Sequence, residues 1–567
     1  MLGGSAAING LYMVRQNRLE QETWASLASG GSSSSNASSL WGWDTMFTAM
    51  KKSETFAPPT SEVQQQLGNS IAWDAASHGT SGPVHSSWPG RTYNSVSSFV
   101  QAAASVNGVG INRDPYSGNN LGAFVATSSI DPSTWKRSFS RTGYIDPILD
   151  SRSNLHILTG HQATQLVLEK SNATDLVVAR GVRYAQGPGE QTHVVSARRE
   201  VILSAGAIGS PTLLQRSGIA GSDLLASVGI EQVVDLPGVG YHLQDHLAGG
   251  VGFGVKASTA KPQTVVSGNA IEDSHVNSAI AYVSLETLLG SPTEAETFRA
   301  SLRSSLDAAV DALDAPAAVK AGYRATYTAQ VDQLFSAGSG AGPIELLFAN
   351  TFGQIQVQAA LQHPLSRGSV RITSADAFAA PRIDAAYLAH SADLQLLRAG
   401  FRLARLVGQT SPLSDLLTGA QGPAAAAQTD SEWDTFIRGN TQTEYHPTAS
   451  CSMLPRQQGG VVDPDMRVYG TSNVRVIDAS IPPLSMAMHL MTATYGLAEL
   501  GADMIKATRV ADDAAATLGN DQSNNSNPGS NQSAATGGSN KQSSAKTRLT
   551  LNGLLPLPLL LLPMLLL

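Results

Sequence analysis

Between residues 391 and 407, "SADLQLLRAGFRLARLV", apolar side chains recur at three- and four-residue steps. Leu394, Leu397, Phe401 and Ala404 then share one face, which predicts an amphipathic helix. A shorter period marks "NLHILTG" (154–160), "ATQLVLE" (163–169) and "DLVVARGVRYA" (175–185), which read as β runs with a glycine turn after the first. "VILS" (201–204) and "NVRVIDAS" (473–480) read as buried strands, and "RGSVRIT" (367–373) as a strand after a turn. Helices are expected over 94–106, within the Ala-rich 295–335, and over 492–507. Ser210 and Pro211 suit the cap and first position of a helix that Gly218 ends. "LYMVRQNRLEQETWASL" reads as a loop and a short helix ending near Trp24, and "HGTSGPVHSS" as turns at Gly79 and Gly82 before a short strand.

The strand–glycine turn–helix units at 201–217 and 474–506 imply an α/β domain. The β-rich and Ala-helical segments between them imply a second, interleaved domain, so the chain is α/β in its motifs and α+β as a whole.

Composition narrows the function. The 567 residues are ample for a deep core, only 14% are charged, and 53 are glycine. The net charge of −7 excludes a basic nucleic-acid-binding surface. A single cysteine, Cys451, excludes an intrachain disulfide and a Cys-based metal site. Residues 508–548 are a Ser/Asn/Gly-rich stretch too polar to bury a core, read as a disordered linker, and 549–567 are strongly apolar. Small residues at 537–539, a polar spacer and this tail form the pattern of a glycosylphosphatidylinositol (GPI) anchor signal; the alternative is a tail anchor, against which Pro556, Pro558 and Pro563 argue. A GPI signal requires a secretory leader, which the first residues do not carry, so a leader is expected upstream of Met1. Asn36, Asn172, Asn524 and Asn531 are N-glycan acceptor patterns that fit an exported glycoprotein.

Two histidines carry the candidate chemistry. His446 lies in "YHPTASCSML" before a proline that stiffens the backbone, and His489 precedes the last helix, with one strand between them. A strand and its return bring both imidazoles to one site, suited to taking a proton from an alcohol near neutral pH. Taken singly, each also reads as a buried structural histidine. His242 and His246 have the i, i+4 spacing of zinc helices, but a turn precedes them and no Glu follows the first, so no metal is expected.

Seven segments occur in order: "LGGSAAING", "SAGAIGSPTLLQRSGI", "PGVGYHLQDH", "HPLSRGSVRI", "YHPTASCSM", "GGVVDPDMRVYGTSNVRVIDASIPP" and "HLMTATYGLAE". Together, from residue 2 to about 507, they resemble the glucose–methanol–choline (GMC) oxidoreductases, nearest the glucose oxidase and aryl-alcohol oxidase branches. The resemblance implies FAD as cofactor and an incomplete Rossmann-like FAD-binding domain at 1–55, 151–255 and 441–507. A substrate-binding domain of sheet and helices would take 56–150 and 256–440. Asn9, Gly10, Leu11 and Tyr12 match the segment along the flavin, and Ala163 the position meeting the adenine side. Ser204, Ala205 and Gly206 match the signature near the ADP half, Asp478 and Ala479 the pair near the pyrophosphate, and Met491 and Thr492 the approach to the pyrimidine ring. His446 matches the catalytic base and His489 the second active-site position. Cys451 matches a position where relatives also carry a free cysteine, and is read as structural.

The implied reaction is oxidation of an alcohol by hydride transfer to flavin N5, with O₂ or a quinone-like acceptor. Sugar, aryl alcohol and secondary-metabolite alcohol all remain open as substrates. The implied partners are that small alcohol and the acceptor, with no nucleic acid, and a membrane only through a C-terminal lipid anchor at the cell surface. In the family a GxGxxG turn after a first strand lies upstream of the segment matching residues 2–10. "GVGI" (108–111) does not replace it. The expectation is that Met1 lies inside a longer chain, which accounts for both the missing leader and the missing turn; the alternative is a degenerate, non-catalytic surface protein on the same scaffold.

Overall fold

The computed structural model describes residues 1–31, 39–259, 266–351 and 354–524. Met1–Met504 form one compact unit, and the residues from Ile505 onward form a second.

Alternating apolar positions build the largest element of the first unit, a seven-stranded sheet. Its order is Leu417–Ala420, Leu247–Val255, Gln354–Leu361, Ile344–Thr351, Ala279–Val283 and Gly122–Val125, with Gln442–Thr443 pairing the start of Leu247–Val255. Each of these pairings is antiparallel. The amphipathic helix forms over Ser391–Gly408 and lays Leu394, Leu397, Phe401 and Ala404 into the core. It approaches closely because Gly400 has no side chain: a Cβ there would stand 3.0 Å from the Cβ of Ala359 and 3.2 Å from Ile344. Helix Asn94–Ser105 adds Phe99, whose ring meets Phe348 of the sheet at 5.4 Å. The strand Leu247–Val255 thus belongs to this sheet, although the sequence boundary at 255 placed it with the other domain.

A second layer is parallel. Val201–Leu203 pairs with Val474–Val476, bringing "SAG" at 204–206 beside Asp478. Next to it, Gln162–Lys170, Val177–Ala185 and His193–Ser196 form a three-stranded antiparallel sheet.

Four details differ from the sequence reading. The β run expected at 154–160 is not a strand; Leu155 and Leu158 are exposed, so its alternation buries nothing. The first long helix runs Arg18–Ala28, because Asn17 and Glu20 close a capping box at its start and nothing stops it at Trp24. The helix after Val201–Leu203 starts at Gly206, with Pro211 inside it. Its entry is set by Asp478, which accepts from the Gly206 amide (2.9 Å) and the Ser210 hydroxyl (2.5 Å), so Ser210 is not the cap. Pro211 has no amide to bond the Ala207 carbonyl; the Ser450 hydroxyl donates to that oxygen instead, at 2.6 Å. The last helix spans Met491–Asn524, past Ala507 and into the stretch read as a linker. The remainder of that stretch, the apolar tail at 549–567, Asn36 and Asn531 lie outside the described residues.

Candidate active site

One end of the seven-stranded sheet gathers titratable side chains from segments far apart in the chain. Leu247 lies opposite Thr443, so the preceding His246 meets the following Glu444, and the Glu444 amide donates to the His246 carbonyl at 2.9 Å. The His446 amide donates to Asp245 Oδ1 at 2.8 Å, while the other oxygen of Asp245 accepts from the hydroxyls of Tyr387 and Thr443. Asp245 thereby fixes the backbone that carries His446.

The imidazoles meet within this frame. His246 Nδ1 and His446 Nδ1 share a hydrogen bond of 2.9 Å, with their rings nearly perpendicular. The His489 ring centroid lies 4.8 Å from that of His446, again edge-on. Tyr12 stacks flat on the opposite neighbour, its centroid 4.4 Å from His489, and its hydroxyl donates to the Asn277 carbonyl. His489 Nε2 hydrogen-bonds Glu345 at 3.0 Å. Glu444 Oε2 lies 3.5 Å from His446 Nδ1 and 3.6 Å from His246 Nδ1. Neither Glu444 oxygen has a hydrogen-bond partner among the described residues. The backbone is strained on both sides: Leu11, before Tyr12, has φ 72°, and Tyr445, before His446, has φ 62°.

The two glutamates are driven apart. Burial, reinforced by the charge of Glu444, pushes the Glu345 carboxyl well above the usual carboxylate range. Burial also acts on Glu444, but the imidazoles of His246 and His446 beside it outweigh that and hold it well below the range, so it is ionised. Burial lowers both His246 and His489, with Glu444 opposing it, and raises the Tyr12 hydroxyl. The site thus holds two carboxyl groups whose environments push them in opposite directions, beside a row of imidazoles, the separation that acid–base sites require.

Two family models, both described as GMC oxidoreductase, match this chain over residues 1–248 and 364–498. The GMC oxidoreductase family protein Mala s 12 of Malassezia sympodialis is 46% identical over 505 residues, which cover 89% of this chain and 79% of that protein. The chain belongs to the GMC oxidoreductase family. Among solved structures it is similar to an FAD-dependent oxidoreductase from Chaetomium thermophilum. That likeness has a TM-score of 0.80 and 29% identity, covering 90% of this chain and 86% of the other. It is also similar to a fungal aryl-alcohol oxidase, with a TM-score of 0.78 and 28% identity, covering 89% and 85%.

Most of the residues singled out from the GMC motifs come together in two groups. In the first, Asn9 Nδ2 donates to Met491 Sδ at 3.0 Å, Tyr12 stacks on His489, and the Thr492 hydroxyl lies 3.8 Å from Met13 Sδ. Arg137 holds this segment by donating to the Asn9 side chain (2.7 Å) and carbonyl (2.8 Å); Gly10 is exposed and Leu11 half-buried. In the second group Ser204 and Ala205 are exposed, and Gly206 takes φ 77° with open space where a Cβ would stand. Asp478 bonds Gly206, and the Ala479 carbonyl accepts from the Thr448 hydroxyl at 2.7 Å, which joins this group to the His446 loop. Ala163 sits on a different sheet, exposed and opposite Tyr184. Cys451 is buried, and burial pushes its thiol up, so it is unreactive. His242 and His246 share no helix; His242 has φ 62° and packs near Gly322 and Gly459, while His246 turns to His446.

Sequence reasoning missed Glu345, Glu444 and the true partner of His246. Glu345 had a signal: it is the one charge in the apolar run "PIELLFA". Glu444 had none, since a lone Glu before "YHP" reads as a solvated loop residue, and only the strand register puts it against His246.

Proposed function

We propose that this chain binds FAD and oxidises an alcohol, with His446 as the base. The observation that carries the reading is the convergence of His446, His489, Glu444 and Tyr12 in a buried, acid–base-differentiated site. The residues present fit the cofactor: the backbone at 204–206 is accessible, Gly206 leaves open the space a Cβ would fill, and Gly4, at φ 58°, does the same in the opening segment. Asn9, Gly10, Leu11, Tyr12, Met491 and Thr492 would hold the flavin, and Ser204, Ala205, Gly206, Asp478 and Ala479, with Ala163 farther out, the ADP part. When bound, FAD supplies a ring that accepts a hydride and passes the electrons to O₂ or a quinone-like acceptor.

The chain's own residues prepare the proton transfer. In the tautomer where His446 Nδ1 donates to His246 Nδ1, His446 Nε2 is left as the acceptor for the hydroxyl proton. Glu444, 3.5 Å away, stabilises the imidazolium that results. The bond to Glu345 occupies His489 Nε2 and leaves Nδ1 to orient the substrate oxygen. Tyr12 supports the flat face of that ring and excludes water from it. Incubation of the purified protein with sugars, aryl alcohols and aliphatic alcohols, read by O₂ uptake and by dye reduction, tests the reading. At least one class should turn over with either acceptor; no turnover with any class by either readout contradicts it.

We propose further that the mature protein is held at the cell surface by a C-terminal lipid. Asn172 is exposed, as a glycan acceptor requires. Among the described residues no helix is long and apolar enough to cross a membrane. Release from intact cells by a phosphatidylinositol-specific phospholipase supports the anchor, and retention after that treatment opposes it.

A further inference from the structure

Besides facing the two imidazoles, the Glu444 carboxylate accepts no hydrogen bond among the described residues. Its side chain is 10% exposed, and it stops short of hydrogen-bond contact with both nitrogens it faces. His246 Nδ1, His446 Nδ1 and Glu444 Oε2 form a triangle with edges of 2.9, 3.5 and 3.6 Å. Around an ion with bonds of about 2.0–2.1 Å, a tetrahedral ligand edge is about 3.3 Å, near the mean of these three. Once the shared proton has moved to Nε2 of His446, one cation at the centre would bind the carboxylate and an Nδ1 lone pair from each imidazole.

We propose that His246, His446 and Glu444 form a binding site for a borderline divalent ion of the Zn²⁺ class, with its fourth position left to water or a substrate oxygen. Two imidazoles and one carboxylate are the donor set such ions take. Glu345, His489 and Glu444 also lie close together, but that grouping offers one imidazole and two carboxyl groups, and burial disfavours the charged form of Glu345.

Occupancy has a chemical consequence that rests on the base assigned above. The ion takes the Nδ1 lone pair of His446, so the Nδ1 proton must move to Nε2. No proton is lost; the imidazole changes tautomer. The ring atom that would accept the alcohol proton becomes a donor, and the ion stops turnover even when alcohol saturates the enzyme.

Co²⁺ substitutes for Zn²⁺ and reports its own ligands. Titration of the purified, flavin-loaded protein with Co²⁺ should give visible d–d bands of a four-coordinate ion that saturate at one equivalent, and Zn²⁺ should erase them. Glu444→Gln, which keeps the shape of the side chain, should weaken Co²⁺ binding at least tenfold, and His246→Asn should do the same, each with far-ultraviolet circular dichroism unchanged. Absence of the bands, or bands unaffected by both variants, overturns the site. In turnover, one equivalent of Zn²⁺ should lower kcat with KM little changed, and a chelator should restore it. A bound ion with turnover intact leaves the site standing and contradicts His446 Nε2 as the base, so the two failures are distinct.

Discussion

His446 is useful only because its neighbours decide which nitrogen is free. His246 holds Nδ1, Asp245 holds the amide, and Glu444 supplies the compensating charge. Replacing Glu444 with Gln keeps the volume and removes the charge. The rate of alcohol oxidation should then fall at least about tenfold in kcat, the equivalent of about 1.4 kcal/mol of lost imidazolium stabilisation. Steady-state kinetics in metal-free buffer checks this, and an unchanged kcat shows that the carboxylate is not used. His242 makes a different prediction. Burial, with the Arg367 guanidinium adding to it, pushes its imidazole down to about 3. An unfolded imidazole titrates near about 6.5, so between these values the unfolded chain binds more protons than the native one. Its contribution is constant above that range and turns against the fold as pH drops, by about 1.4 kcal/mol per unit. Melting temperature should therefore fall from pH 7 to pH 5 more steeply in the wild type than in His242→Gln; parallel slopes would refute the assignment. At this scale the sequence singled out His446 and His489, whose motif positions are distinctive, and their rings meet in the fold. It concealed Glu444, whose role depends on a strand pairing rather than on any local pattern.

Between elements, the helix that follows Val201–Leu203 is tied to the His446 loop by a substitution of donors. Pro211 removes the amide due to the Ala207 carbonyl, and the Ser450 hydroxyl takes its place. Ser450→Ala should cost about 1–3 kcal/mol by leaving a buried carbonyl unpaired. Pro211→Ala restores the helical amide, so the double variant should recover most of that loss, and denaturant melts of the four proteins give the coupling directly. Strict additivity would show that the two groups do not serve the same oxygen. Elements with strong periodicity were legible: the helix at 391–408, the strands at 162–185 and the parallel pair. The errors came where local chemistry was overruled. Ser210–Pro211 has the look of a helix start, but a carboxylate distant in sequence, Asp478, begins the helix four residues earlier. At 154–160 an alternating pattern meets no sheet to join.

At the scale of the molecule, the antiparallel sheet and the parallel pair meet through residues 441–480, which leave the sheet at Gln442–Thr443, carry His446, and return as Val474–Val476. The same excursion therefore places His446, the proposed base, and frames the Gly206 turn. A single stretch of chain that serves both layers explains why a domain boundary expected at 255 leaves the strand Leu247–Val255 with the FAD-binding segments although it pairs into the antiparallel sheet. It also makes the central claim testable in one experiment. Purified protein is mixed anaerobically with a turned-over alcohol while the visible flavin band is followed, alongside His446→Ala. The wild type should carry the band and bleach, and His446→Ala should carry the same band and bleach at least about a hundredfold more slowly. A colourless wild type, or a variant that bleaches at the wild-type rate, would contradict the account.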